Sequence, residues 1–422
     1  MNAPATTIER IEAAVAALGP GPLAHDALAR HVAPLFSRVR TAWRERIYLA
    51  NHSLGRPLDA TDEDVREGVA AWYAQMGGAW DAWDAEMQGY RGRLARLIGA
   101  PRADCVVPKT SAGQGLRAIL NTYDAVPRVV ATRGEFDSLD VILREYARRG
   151  RIALTLVEPR ADGLFATADI VAAIGTRADL VVVSQVIFNS GQRIADLPDI
   201  VAATHAAGGH ILLDTYHALG VYPFDVAALD ADFAVGGAYK YLRGGPGACF
   251  VYLHPRHLDG RLRTLDTGWF AKRDPFAYRR PDPPEYGAGG DAFLESTPPV
   301  LPFYQARAGQ VLALALGTAR VRAWSLALQR RLVGLLADKG VPATGGTEDR
   351  GAFVVVDDAG AEAWADALRA AGVVTDARGR YLRLCPDILT TDEELVTAAN
   401  AVARTRPMVA SCEASGRCFR DA

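Results

Sequence analysis

Cysteine and methionine are scarce in this chain, with five and four copies among 422 residues. The cysteines, Cys105, Cys249, Cys385, Cys412 and Cys418, are odd in number and widely scattered. That spacing argues against a disulfide framework and predicts free thiols in a reducing compartment. No histidine lies near Cys412 and Cys418, so the pair falls short of a zinc ligand set, and no metal site is expected. An excess of either charge is also missing: a formal net charge of −2 predicts neither a nucleic-acid partner nor attraction to an anionic membrane. No run of about 18 apolar residues occurs, so no transmembrane helix is expected. The first residues, with Glu9 and Glu12 and no apolar core behind basic residues, do not read as a secretory signal. A soluble cytoplasmic protein is the expectation. The 40 glycines and 23 prolines are spread along the chain, which excludes collagen-like or low-complexity readings.

What is present is alternation. Between about residues 60 and 305, short apolar runs alternate with amphipathic stretches such as Ser138–Arg149 and Leu197–Ala207. The runs are Cys105–Val107, Arg128–Ala131, Ile152–Val157, Leu180–Val183, Ile211–Leu213, Phe233–Val235 and Cys249–Leu253. Valine-rich strands without polar alternation, separated by helices, predict a mainly parallel sheet covered on both faces. Beyond a Pro- and Gly-rich loop at 279–293, the spacing predicts a long helix over Gln305–Lys339. A β-α-β-α ending follows: Ala352–Asp357, Ala361–Ala371, Tyr381–Leu384 and Asp392–Arg404. The expected division is 1–58, an N-terminal helical segment packing on the small domain; 59–304, a large α/β domain with a seven-stranded sheet; and 305–422, a small α+β domain.

Ligands of open α/β sheets collect at the carboxyl ends of the strands, and polar residues stand there. Ile211–Leu213 runs into Asp214, with His217 three residues on; Leu180–Val183 runs into Ser184; Phe233–Val235 runs into Gly236-Gly237-Ala238-Tyr239-Lys240. Cys105–Val107 leads to Thr110-Ser111-Ala112-Gly113-Gln114-Gly115 before a helix. A lysine among small residues at a sheet mouth loses its proton by desolvation and attacks an aldehyde. A carboxylate on an interior strand end holds a pyridine nitrogen protonated, making the ring an electron sink. A small-residue loop opening a helix offers N–H groups to a phosphate. Singly, each has a plainer reading: a strand-end Asp caps a turn, and a Lys in a Gly-rich turn is solvated. The loop also lacks the Gly-Lys-Ser/Thr ending of a nucleotide-binding P-loop. Their arrival at one sheet edge, with Asp214 26 residues before Lys240, points to pyridoxal 5′-phosphate (PLP).

These residues carry a resemblance to the class V branch of the fold-type-I PLP enzymes, and within it to kynureninase. Ile47-Tyr48-Leu49-Ala50-Asn51-His52-Ser53-Leu54-Gly55 is similar to that family's opening segment, and Asp214-Thr215-Tyr216-His217 to its Asp-x-x-His pair. Tyr239-Lys240-Tyr241-Leu242-Arg243-Gly244-Gly245-Pro246-Gly247 follows its lysine segment almost letter for letter. Gly268-Trp269-Phe270 and Ser296-Thr297-Pro298-Pro299 resemble two later segments, so the likeness runs from about residue 46 to 400. It implies that Lys240 binds the cofactor's aldehyde and moves the Cα proton, that Asp214 pairs with the ring nitrogen, and that His217 supports the ring's polar edge. Phe136 would stack on the ring. Ser111, Ala112 and Gly113 would bind the phosphate, helped by Ser184, Tyr239 and Trp269, with Ser138 beside them. Thr297 would reach a phosphate across the interface of a homodimer with shared active sites. Tyr239 would also serve as acid–base partner, while Arg383 clamps a substrate carboxylate and His52 lines the substrate pocket. The implied reaction is hydrolysis of the Cβ–Cγ bond of L-kynurenine or a related β-keto amino acid to anthranilate and L-alanine.

Departures bear on the substrate. The family usually has Asn where His52 stands, and Pro, Ser or Thr, then Asp after the stacking Phe. Here the order is Asp137-Ser138-Leu139-Asp140, so the acid is either lost or displaced by one residue. Another class V activity (aminotransferase, β-lyase or epimerase) is the alternative. Cysteine desulfuration fits less well, because Cys385 lies in an apolar strand where thiols are inert. A regulator's PLP-binding domain lacks any helix-turn-helix or basic face to support it. His205, His210, His254 and His257 read as surface or core residues without a role.

Overall fold

The computed structural model describes residues 5–415, with side chains through 406, so Cys418 and the thiol of Cys412 lie outside the described part. Twelve strands form three sheets. β1 (Ile47–Tyr48) stands alone before seven strands of one sheet: β2 (Val106–Lys109), β3 (Arg128–Thr132), β4 (Ala153–Val157), β5 (Leu180–Ser184), β6 (His210–Asp214), β7 (Phe233–Gly237) and β8 (Cys249–Leu253). The order is β2-β8-β7-β6-β5-β3-β4. Only β8 runs against its neighbours; every other pairing is parallel. β5, β7 and β8 are buried at every position, the reason their sequences show no polar alternation.

Helices cover both faces. Tyr90, Leu94 and Ile98 of the helix Ala79–Ile98 pack on one side with Val181, Val183 and Leu213. Leu116, Ile119, Leu139 and Leu143 pack on the other with Val182, Leu212 and Val251. The shared register places Ser184 beside Asp214 and Asp214 beside Val235, so strand-end side chains of three strands meet at one edge.

The long helix expected over Gln305–Lys339 is two helices, Leu301–Leu316 and Thr318–Ala337, meeting at 85°. Gly317, at φ +78°, takes a conformation that only glycine adopts cheaply, and the helical ladder breaks there. The C-terminal part forms a three-stranded antiparallel sheet, β11-β12-β9, from β9 (Val354–Asp357), β11 (Asp376–Arg378) and β12 (Tyr381–Leu384). β10 (Val373–Val374) pairs in parallel with β1. Strands β10 and β11 extend the expected β-α-β-α ending; at two and three residues they are too short to show a period.

Residues Ile11, Val15, Leu28, Val32 and Phe36 of the N-terminal segment bury themselves against Ala308, Val311, Leu312 and Leu316, with Ile388 alongside. The same helix carries Arg307, whose guanidinium meets Asp64 at 3.2 Å, Glu67 at 2.6 Å and Glu86 at 2.6 Å. One cation thus ties three helices together. Among the described residues no single helix is long and apolar enough to cross a membrane.

Candidate active site

The segment after β7 turns sharply, and the turn is shaped from outside. Gly55 donates its N–H to the Tyr239 carbonyl at 2.8 Å. A Cβ on Gly55 would lie 2.0 Å from the Lys240 carbonyl oxygen, so only glycine fits here. The turn leaves Lys240 4% exposed, with Nζ 2.7 Å from His217 Nε2 and within 5.3 Å of the centre of the Phe136 ring. Burial pushes the ammonium down to about 7, against the attraction of Asp214. Burial, then the nearby Lys240, pushes His217 well below its usual range. A neutral His217 accepts from Lys240 through Nε2, which places its proton on Nδ1; that Nδ1 is buried and has no partner.

Asp214 closes β6 and is 5% exposed. Its carboxylate accepts the Tyr216 N–H at 2.8 Å, its one hydrogen bond among the described residues. Burial raises its pKa while Tyr216 and Lys240 oppose the rise. A buried carboxylate with one amide donor remains open to a cation from outside the chain.

Lys240, His217, Phe136 and Tyr239 share a cavity of about 60 Å³ with His52, Ser53, Arg378 and Arg383. Burial pushes the Tyr239 hydroxyl up to about 12, so it is protonated at neutral pH. Arg383 is engaged: Nε and Nη2 fork onto Asp376 at 2.9 and 2.6 Å, and Nη1 donates to the Phe188 carbonyl. His52 is tied to the same carboxylate, Nε2 to Oδ1 at 2.7 Å, and lies against Phe353. Burial, then Arg383, lowers His52 to about 4, so it is neutral and donates to Asp376. Burial alone would raise the Asp376 pKa, but His52 and Arg383 hold it far below the usual carboxylate range.

Ser111 caps the helix Ala112–Leu120, its Oγ accepting the Gln114 N–H at 3.1 Å. The N–H groups of Ala112 and Gly113 in that first turn are free for an anion. Ser184 donates to Glu135, which also accepts from Thr132 at 2.6 Å. Burial raises Glu135 to about 7. Ser138 is exposed in the first turn of Asp137–Arg148. Leu139 is fully buried, and Asp140 is paired with Arg144 at 2.9 Å. Trp269 and Thr297 are joined, Nε1 to Oγ1 at 3.0 Å. Trp269 lines a separate depression with Tyr278 and Arg279, away from Lys240. Residues that the sequence reading passed over are Asp376, Arg378, Glu135 and Gln185; the last is buried, with its Oε1 unpartnered.

Comparison with known proteins follows the same line. The aminotransferase class-V family model matches residues 58–379. A kynureninase of Deinococcus radiodurans is 30% identical over 271 residues, 60% of this chain and 62% of that protein, so under two thirds of its length is spanned. A kynureninase of Bacillus anthracis is 27% identical over 371 residues, 83% of this chain and 86% of the relative. Among solved structures, the Escherichia coli cysteine desulfurase CsdA superposes with a TM-score of 0.74 at 17% identity, over 88% of this chain and 98% of that one. The cystine C–S lyase C-DES, one of whose structures holds glycine covalently linked to the PLP cofactor, gives 0.75 at 18% identity over 86% and 98%. At that identity the likeness is one of fold.

Proposed function

The chain belongs to the class-V aminotransferase family as a kynureninase-like member, and from that premise we propose that it hydrolyses the Cβ–Cγ bond of L-kynurenine or a related β-keto amino acid, giving anthranilate and L-alanine. It is a PLP-dependent enzyme of fold type I. The residues fit the cofactor: Asp214 and the His217 Nδ1 are buried groups short of partners, and the N–H groups of Ala112 and Gly113 suit a phosphate. Phe136 faces Lys240 across the space a ring would fill. Bound there, PLP supplies an electron sink for the pair left at the substrate Cα.

The chain's own groups do the rest. Lys240, with a substantial free-amine fraction at neutral pH, would hold the aldehyde and carry the proton to and from Cα. Asp214 holds the ring nitrogen protonated. Arg383 takes the substrate carboxylate, with Asp376 and His52 fixing the plane of its guanidinium. Tyr239, protonated, donates to the oxygen of the γ-carbonyl as water adds. The observation that carries the reading is the desolvated Lys240 at 2.7 Å from His217.

A desulfurase reading, suggested by the fold neighbours, needs a mobile thiolate. Cys385 is fully buried, donates to the Ala352 carbonyl at 3.1 Å and is pushed up by burial. Cys105 and Cys249, the other thiols among the described side chains, are buried as well. Incubation of the holoenzyme with L-kynurenine should release fluorescent anthranilate, and a Lys240→Ala variant should not. No product from wild type at high enzyme concentration would reject kynurenine. A panel of other amino acids, with and without a keto acid, then identifies the alternative class V activity.

A further inference from the structure

We propose that His210, Asp232 and His257 form a binding site for one divalent transition-metal ion of the zinc type, at the sheet edge opposite Lys240. His210 opens β6, Asp232 immediately precedes β7, and His257 follows β8 in the short turn Pro255–His257. Because β8 runs against β7, its end meets the beginnings of β6 and β7. Four residue steps along β6 separate His210 from Asp214, about 13 Å at strand rise. The site is thus distinct from the cofactor pocket.

One ligand atom from each residue lies within 4.8 Å of the others, the single such grouping of His, Cys, Asp and Glu among the described residues. The protonation state of His210 is dictated by its neighbour. The Tyr123 hydroxyl gives its one proton to the Asp179 carbonyl at 2.9 Å. The contact between that oxygen and His210 Nδ1 at 3.2 Å must then be an N–H from the histidine. His210 Nε2 is left with a bare lone pair and no hydrogen bond among the described residues. This is the outer arrangement of a metal-binding histidine: one nitrogen pinned, the other free to ligate. Asp232, 1% exposed, is held through Oδ2 by the Ile211 N–H at 3.0 Å and by His205 Nε2 at 2.8 Å. Its Oδ1 meets His257 Nε2 at 2.7 Å. A cation would replace the hydrogen in that last contact, His257 carrying its proton on Nδ1 instead. Two imidazoles, one carboxylate and a water make the four-coordinate set that zinc takes. The rim carries both signs: Asp230 pairs with Arg256, whose Nε lies 3.7 Å from Asp232 Oδ1.

The test uses tag-free holoenzyme stripped with a chelator and titrated with zinc chloride by calorimetry. Wild type should bind one saturable equivalent per chain. His210→Gln and His257→Gln should each weaken binding at least about tenfold, and Tyr123→Phe, which removes the acceptor of the His210 Nδ1 proton together with the bond to the Asp179 carbonyl, about tenfold. The cofactor absorption band should be unchanged in all three, reporting an intact fold without relying on activity. Absence of saturable binding in wild type, or zinc bound as tightly by both histidine variants, overturns the proposal.

Discussion

At the scale of single residues, the chemistry rests on how burial sets proton positions. With the Lys240 ammonium lowered to about 7 by burial, the free amine is the major form above neutrality. A lysine in water stays protonated to about pH 10.4. The rate at which apoprotein captures PLP, followed by absorbance, should therefore rise as pH climbs toward about 7 and level off above it. A rate still climbing through pH 9 would mean a solvated lysine. Arg383 makes a second prediction. Arg383→Lys removes a bidentate clamp whose hydrogen bonds to a charged partner contribute about 1.5–3 kcal/mol, so KM should rise roughly tenfold or more with kcat less affected. Arg378→Ala, at a half-exposed guanidinium, should move KM by no more than about threefold; the reverse pattern would transfer the clamp to Arg378. Lys240, Asp214 and His217 could be picked out in the sequence because they stand at or within a few residues of the ends of apolar runs. Asp376 and Glu135 could not. Each is one polar residue in an unremarkable stretch, and only tertiary pairing, Asp376 opposite Arg383 across β11 and β12, turns it into part of a site.

At the scale of elements, two contacts decide whether the pocket forms. Gly55 lies against the Lys240 carbonyl, and backbone cannot yield as a side-chain tip can. Gly55→Ala should displace the lysine turn and reduce cofactor affinity, measured by titrating PLP into apoprotein, while leaving the far-UV circular dichroism intact. Arg307→Met should leave Asp64 as a buried carboxylate without a cation, while Glu86 keeps its pairing with Arg93. Breaking a buried network from one side costs about 3–5 kcal/mol, readable as a lower denaturant midpoint at unchanged slope. The inner strands of the large sheet could be placed from composition because they are buried on both faces and read as continuous apolar runs, whereas β4, at the sheet edge, alternates in exposure. The break at Gly317 could not. An isolated glycine inside an apolar helical pattern is tolerated as often as it terminates, and what fixes the 85° turn is packing of Leu301–Leu316 against the N-terminal segment and Thr318–Ala337 against the C-terminal core.

At the scale of the whole molecule, the distribution of site residues argues for a second copy of the chain. Trp269 and Thr297 bond to each other; Trp269 lines a depression separate from the Lys240 pocket, and Thr297 lines another beside Thr110 and Gln114. Around them runs a line of aromatic contacts through Trp80, Phe270, Phe276 and Tyr278. Trp72, Tyr73, Met76, Phe276 and Tyr278 are 48–85% exposed, an apolar display of the kind that marks an interface core. We propose a homodimer in which Trp269 and Thr297 of one subunit would complete the phosphate site of the other. A two-fold axis makes this reciprocal, so each site takes Lys240 from one chain and Trp269 from its partner. Lys240→Ala and Trp269→Ala, each inactive alone, should then complement when co-expressed. A mixed dimer has one site carrying both lesions and one carrying neither; with random pairing half the dimers are mixed, and about one quarter of wild-type sites are restored. Sites built from one chain would give no such recovery, because every pocket would keep one lesion or the other.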